Sequence, residues 1–253
     1  MKEESEEKIK ELAALLRLKK RIAVLTGAGI SAESGIPTFR GKEGLWRRFR
    51  AEELATPTAF RNNPNLVWEW YEWRRGIIGE KKPNPGHKVL ADWEKRFPEF
   101  AIITQNIDGL HAKAGSENIV ELHGNIWKMR CTKEGIVIEN HDVPLEEIPP
   151  CCPSCGALLR PHVVWFGESL DPEVLHKSFA LSSSCEVMFV VGTSAVVHPA
   201  ASLPLTASES GATVVEININ STSLTPYADF SLLGKAGEIL PQIDKNLQIP
   251  QQL

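Results

Sequence analysis

No run of apolar residues in this 253-residue chain approaches the roughly 20 needed for a helix to cross a bilayer. A membrane partner is therefore not expected. Nor is there an excess of positive charge. The formal net charge is -4, which removes the electrostatic case for nucleic acid. Internal repeats and low-complexity tracts are lacking as well. Cysteine is scarce: there are five, and four of them fall within positions 131–155. That clustering argues against a disulfide framework and for a local metal cluster in a reducing compartment. The first eight residues, Met1-Lys-Glu-Glu-Ser-Glu-Glu-Lys8, have none of the apolar character of a signal peptide. Together with the thiols they set the expectation of a cytoplasmic location. What is present is ordinary for a globular chain, 42% hydrophobic and 24% charged, enough for a sizeable core. The length suits one large domain, or one domain with a small insertion.

One stretch organises the rest. The apolar run Ile22-Ala-Val-Leu-Thr26 reads as a buried strand and leads directly into Gly27-Ala-Gly-Ile-Ser-Ala-Glu-Ser-Gly-Ile-Pro-Thr-Phe-Arg-Gly41. Gly-x-Gly after a strand lets the chain turn tightly and brings backbone N–H groups near an anion. The pattern resembles the dinucleotide fingerprint, with Ala32 in the third small-residue slot. The acid that an ordinary dinucleotide fold places about 20 residues on is missing. Trp46-Arg-Arg-Phe-Arg50 stands there instead. The loop also runs on through polar residues rather than settling at once into an apolar helix. These features suggest a nucleotide site whose loop closes over the reacting part of the ligand, with Arg40 facing a phosphate. A tight turn that binds nothing and a solvated Arg40 are the plainer alternatives.

Periodicity supplies the frame. Ile9, Leu12, Ala13 and Leu16 form one helix stripe. Residues 52–79 read as short helices broken at Pro57 and Pro64. Pro83 to Gly86 reads as a turn, His87 to Lys95 as a helix, and 200–210 as another. Strands are expected at 100–104, 119–122, 163–166, 187–191 and 214–218. Short apolar strands alternating with helices indicate an α/β fold with a parallel, Rossmann-like sheet. Polar motifs follow four of the strands: Gly27, Gln105-Asn-Ile-Asp108, Gly192-Thr-Ser194 and Asn218. Ligands of open α/β sheets bind at such strand ends. Asn106 and Asp108, two apart on an extended segment, can face one side together. A turn that merely caps the strand would explain them less well, since it leaves Gln105 without a reason.

Residues 131–160 change character, with the cysteines, an acidic stretch and Pro149-Pro150. They suggest a small module, about 127–162, inserted within a single domain spanning 1–253. Cys152-Pro-Ser-Cys155 has metal-ligand spacing, but Cys131 is followed at the partner position by Glu134. The candidate ligands are Cys131, Cys152 and Cys155. The fourth is open between Cys151, Glu134 and His141, and a degenerate module without metal is the alternative. Cys185 opens a strand and reads as a buried apolar residue.

Residues 27–40, Thr104-Gln-Asn-Ile-Asp108 and Leu122-His-Gly124 resemble the signature blocks of the sirtuins, NAD-dependent protein-lysine deacylases. Phe166-Gly-Glu168, Gly192-Thr-Ser194 and Gly234-Lys-Ala-Gly-Glu238 fit as well, so the resemblance runs in order from about Leu12 to Leu240. It implies an enzyme that consumes NAD as co-substrate, with structural zinc in the cysteine module. It implies His123 and Asn106 as catalytic residues. Its implied NAD contacts are Gly27, Ala28, Gly29, Glu33, Thr38, Phe39, Arg40, Trp46, Gln105, Asn106, Ile107, Asp108, Gly192, Thr193, Ser194, Asn218, Asn220 and Ala236. In the implied reaction the acyl-lysine oxygen attacks C1′ of the nicotinamide ribose and nicotinamide leaves. His123 then takes a ribose hydroxyl proton, the ribose oxygen attacks, and water completes the release of lysine and O-acyl-ADP-ribose.

The acyl group has its own signal. Trp68-Glu-Trp-Tyr-Glu-Trp-Arg-Arg75 places Tyr71 and Arg74 at i, i+3 on one helix face. A phenol and a guanidinium fork together suit a carboxylate. The pair resembles that of class III sirtuins, which remove succinyl and malonyl groups, and Ala55 matches their small pocket residue. An aromatic helix that merely packs, with a solvated Arg74, is the alternative. Residues 163–168 and 196–198 look like the segments that sandwich a peptide substrate, with Val164, Phe166, Gly167 and Glu168 as contacts. The expected partners are acyl-lysine proteins or peptides. Mainly deacetylation, protein mono-ADP-ribosylation and a non-enzymatic nucleotide sensor are the competing functions.

Overall fold

The computed structural model describes residues 2–37 and 51–248. Six parallel strands form its centre: β1 (Arg21–Thr26), β2 (Glu99–Thr104), β3 (Ile119–Glu121), β7 (Val187–Val191), β8 (Thr213–Asn218) and β9 (Phe230–Leu233). Their order is β3-β2-β1-β7-β8-β9, and every pairing is parallel. The order reverses between β1 and β7, the switch point where such sheets open a ligand crevice.

Both faces of this sheet are buried, so its strands read as continuous apolar runs. Val24, Ile102, Phe189 and Ile217 face one side. They pack on α1 (Lys2–Leu16), α6 (Pro85–Arg96) and α10 (Ala236–Gln248) through Leu12, Leu16, Leu90, Trp93, Leu240 and Ile243. The alternate residues Ala23, Leu25, Ile103, Met188 and Val214 face the other. There α8 (Pro172–Ser184) and α9 (Leu203–Glu209) cover them.

A second unit holds three antiparallel strands in the order β5-β4-β6: β4 (Gly124–Cys131), β5 (Val137–Glu139) and β6 (Leu159–Val163). It shares a hydrophobic core with α3 (Ala51–Leu54), α4 (Pro57–Asn62) and α5 (Pro64–Gly79), including Trp68, Trp70, Tyr71, Cys131, Cys152 and Trp165. Among the described residues no helix is long and apolar enough to cross a membrane.

Several expectations shift. Strand β6 ends at Val163, and 164–166 are not strand. Arg160 reaches forward to Glu168, whose Oε2 accepts the Trp165 N–H at 2.8 Å, and this folds the segment into a turn. Helix α6 starts at Pro85, inside the expected turn, because Asn84 caps it by accepting the Gly86 N–H. The helix expected over 200–210 splits into a 3₁₀ turn at Ala200–Ser202 and α9. The glycine loop passes at once into the short helix α2 (Ala28–Ala32), with Ile30 buried. Cys185 ends α8 rather than opening β7, and is buried as expected.

Candidate active site

The carboxyl ends of β1, β2, β7 and β8 lie side by side, with Thr26 paired to Thr104 and to Val191, and Val191 to Ile217. The four polar strand-end motifs therefore share one edge. Their glycines serve contact between loops. The Gly29 N–H donates to the Gly192 carbonyl at 2.8 Å, and the Gly27 N–H donates to the Val191 carbonyl at 3.0 Å. These two donors are spent within the sheet edge, where they tie the two loops together. A Cβ on Gly29 would lie 2.7 Å from Gly192 Cα, and one on Gly192 would lie 2.4 Å from the Ile30 nitrogen. Only glycine lets the two loops meet this closely.

Ser31, on α2, joins the residues expected to act together. Its hydroxyl donates to Asp108 Oδ2 at 2.7 Å and accepts from Asn106 Nδ2 at 3.2 Å. Asn106 Nδ2 also donates to the Gly27 carbonyl at 3.0 Å, and Gln105 Nε2 donates to Thr193 Oγ1 at 2.9 Å. Asn218 Nδ2 donates to the Thr193 carbonyl at 2.7 Å. Ile107 and Asp108 are fixed from the other side, their carbonyls accepting from the Ile126 N–H and Trp127 Nε1, both at 2.9 Å. Glu33 accepts the Gly237 N–H at 2.8 Å, which brings Ala236 to the same edge. Ser194 is partly buried there, and Asn220 is exposed just beyond β8. Thr38, Phe39, Arg40 and Trp46 lie outside the described residues.

Burial pushes the Asp108 carboxyl above the usual carboxylate range, against the Leu110 N–H, the Ser31 hydroxyl and Arg74. Behind Ser31 and Asp108 sit two buried histidines that the sequence gave no reason to single out. His87 Nε2 lies 3.5 Å from Ser31 Oγ, and His111, on α7 (Leu110–Ala114), has its Nε2 3.0 Å from Thr26 Oγ1. Their rings are 4.9 Å apart. Burial lowers His87 to about 4, and burial together with His87 holds His111 well below its ordinary value. Both are neutral at pH 7. Neither lies in a recognisable motif. Ser31 was legible only as part of the glycine loop.

His123 is held by its backbone neighbours. Its Nδ1 lies 2.9 Å from the Gln105 carbonyl. A carbonyl only accepts, so Nδ1 carries the hydrogen and Nε2 keeps its lone pair. Burial lowers its pKa, with the Gln105 contact opposing. The ring is thus a neutral base with a fixed tautomer. Gly124 makes this position attainable: its φ is 78°, and a Cβ there would lie 2.1 Å from the His162 carbonyl.

The His123 carbonyl accepts the Val164 N–H at 3.0 Å, and the Ala55 carbonyl accepts the Phe166 N–H at 2.9 Å. The expected peptide segment thereby ties the histidine to the expected acyl pocket. Phe166 is exposed, and Gly167 has φ 85°. The Glu168 side chain is committed to Arg160, at 2.6 and 2.9 Å, and to the Trp165 N–H. It holds the loop in shape.

Tyr71 and Arg74 lie together on the buried side of α5, 1% and 5% exposed. The solvated arginine that the sequence left open is not what the fold contains. Trp73, one residue earlier, points outward at 46%. Tyr71 Oη accepts Trp165 Nε1 at 2.8 Å, which directs the phenol hydrogen elsewhere. The Arg74 guanidinium stands 4.9 Å from the Trp70 ring centre and 5.8 Å from that of Tyr71. Burial lowers its pKa, offset by Tyr71 and Asp108, and a guanidinium stays charged at any working pH.

In the cysteine unit, ligand atoms of Cys131, Glu134, Cys152 and Cys155 lie within 4.8 Å of one another. Three thiols and a carboxylate fit zinc. Cys151, a candidate for the fourth position, is exposed and bridges in extended fashion to Leu158. Neighbours on an extended segment face opposite ways, so with Cys152 inward Cys151 faces out. His141 is also elsewhere, stacked on Trp127 and hydrogen-bonded to Glu139.

Known proteins resemble this arrangement closely. The profile described as the Sir2 family matches residues 27–199. An NAD-dependent protein deacylase of Aquifex aeolicus (strain VF5) is 56% identical over 222 residues, 88% of this chain and 93% of that protein. A solved structure of a Sir2 homolog–NAD complex superimposes with a TM-score of 0.87 at 47% identity, covering 94% of each chain. A Sir2–p53 peptide–NAD+ structure does so at 0.82 and 34% identity, covering 94% of this chain and 97% of that one.

Proposed function

The chain belongs to the Sir2 family, and on that premise we propose that this NAD-dependent protein deacylase removes succinyl and malonyl as well as acetyl groups from protein lysines. The observation that carries the acyl preference is the burial of Tyr71 and Arg74 side by side on α5. The guanidinium fork of Arg74 and the hydroxyl of Tyr71, on one face of the helix, suit a carboxylate at the end of an acyl chain. Ala55 leaves room for the longer chain.

NAD is the co-substrate, and its ribose carbon is the centre that accepts the acyl oxygen. The strand-end polar groups suit it: a carboxamide at Asn106 and a carboxylate acceptor at Asp108, oriented by one hydroxyl, match the nicotinamide amide and ribose hydroxyls. His123 Nε2, with its tautomer fixed, takes the ribose hydroxyl proton. Val164, Phe166 and Gly167 present backbone to an extended acyl-lysine peptide. The cysteine unit, about residues 127–162, acts as a small inserted module that supports this wall of the site. In this reading the partners are acyl-lysine peptides, not nucleic acid. A cytoplasmic location belongs to it too, resting on cysteines grouped as ligands.

The test is NAD-dependent turnover of one peptide bearing succinyl-, malonyl- or acetyl-lysine, in the wild type and in Arg74→Met. Preference for the acidic groups, lost in the variant while deacetylation survives, is the expected result. Equal treatment of all three peptides by both proteins would leave the deacylase and remove the acidic preference.

A further inference from the structure

Residues 131–136 and 152–157 are two copies of one turn. In each, the first residue's N–H donates to the carbonyl five residues on: Cys131 to Ile136 at 2.9 Å, Cys152 to Ala157 at 2.7 Å. In each, the N–H four residues on returns to the first carbonyl: Gly135 to Cys131 at 3.0 Å, Gly156 to Cys152 at 2.9 Å. Those returning residues are both glycines in the left-handed region, φ 72° and 71°. The backbone of the first turn is therefore that of a metal-binding knuckle, although its sequence is Cys-Thr-Lys-Glu-Gly. Superposing one turn on the other by these bonds puts Glu134 where Cys155 stands.

We propose that Glu134 is the fourth protein ligand of a Cys₃Glu zinc site completed by Cys131, Cys152 and Cys155. The first and fourth residues of each turn supply the four donors. The Glu134 carboxylate lies within 4.8 Å of all three sulfurs. Cys131 Sγ and Cys155 Sγ are 3.6 Å apart, against the roughly 3.8 Å edge of a tetrahedron with zinc–sulfur bonds of about 2.3 Å. The Glu134 N–H points at Cys131 Sγ, at 3.3 Å, a donor that stabilises a thiolate. Three thiolates and one carboxylate carry the same charge as four thiolates, so the replacement preserves the neutralisation of the metal. Three sulfur donors also disfavour magnesium and calcium. Glu134 is exposed whereas Cys131 and Cys152 are buried, so the one oxygen donor lies on the solvent side. This proposal does not depend on the acyl preference.

The ligand set can be counted without any turnover. The full chain, loaded with zinc, is read by X-ray absorption for its sulfur-to-oxygen ratio. The cobalt-loaded chain is read for sulfur-to-metal charge-transfer intensity. Three sulfurs and one oxygen are expected in the wild type, and four sulfurs in Glu134→Cys. Glu134→Ala should weaken zinc binding by at least about 10- to 100-fold, since even partners outside the ligand shell are worth that much. Circular dichroism checks that each variant stays folded. Four sulfurs in the wild type would overturn the proposal and point to Cys151. So would a folded chain that retains no zinc, or a Glu134→Cys variant with an unchanged sulfur count.

Discussion

The sheet edge and the cysteine unit solve the same problem, holding several polar groups around one point, by opposite means. At the sheet edge the groups come from distant parts of the chain, at Ser31, Asn106, His123, Thr193 and Asn218, and parallel pairing makes them neighbours. Each is then oriented by a hydrogen bond to another segment's backbone or side chain. In the cysteine unit the groups come from two local turns with the same pair of backbone hydrogen bonds, docked through one short three-stranded sheet. Long-range order fixes the first region, and local turn geometry the second. The two meet at α5, whose residues Trp68, Trp70 and Tyr71 belong to the same core as Cys131 and Cys152.

Substitutions can break or sharpen that contrast. The largest effect is expected at the sheet edge. His123→Ala should lower deacylation by roughly 10²- to 10⁴-fold, the range of a lost general base, with the fold intact by circular dichroism. The same region should also carry the main acid sensitivity of the fold. His87 is neutral and buried with a pKa of about 4, against about 6.5 for a histidine in water. As pH falls from about 6.5 towards 4 the unfolded chain takes up a proton that the fold refuses. The share of His87 in the loss of stability reaches about 3 kcal/mol and levels off below pH 4, with His111 adding in the same direction. Denaturant midpoints across this range should show the slope in the wild type and a flatter profile in His87→Gln.

Where the two regions meet, Arg74→Met should reduce selectivity for acidic acyl groups by roughly 10- to 150-fold, the worth of a charge-assisted contact of about 1.5–3 kcal/mol. Trp73→Ala, on the outer face of the same helix, should leave the acyl preference unchanged in the same assay. Cys151→Ser is expected to do least. It should leave stability within about 0.5 kcal/mol and zinc content as in the wild type, because Cys151 faces outward. A large loss of zinc on that substitution would erase the distinction between the two turns and their surroundings.

The same contrast explains what could be read from the sequence. The sheet was legible because its strands are uninterrupted apolar runs, and its site because the polar residues sit directly after them. Helix α8 was hidden by its serine-rich end, Ser182 to Ser184, and α10 by Pro241 inside it, residues that weigh against a helix. His87 and His111 escaped notice since nothing local marks a histidine that will be buried behind a serine from another segment. Arg74 was ambiguous because spacing gives a helix face but not whether that face meets water. In the cysteine unit the side-chain type misled. A search for cysteine pairs finds one turn and a remnant, whereas Gly135 and Gly156, each four residues after a cysteine, mark two equal turns.

The measurement closest to the centre of this account is a product analysis of wild-type protein with NAD and a succinyl-lysine peptide, read by mass. One nicotinamide, one unmodified peptide and one O-succinyl-ADP-ribose per NAD consumed is the expected outcome. It would establish acyl transfer to the ribose and turnover of an acidic acyl group. Nicotinamide release with ADP-ribose attached to protein, and the succinyl group still on the peptide, would contradict it.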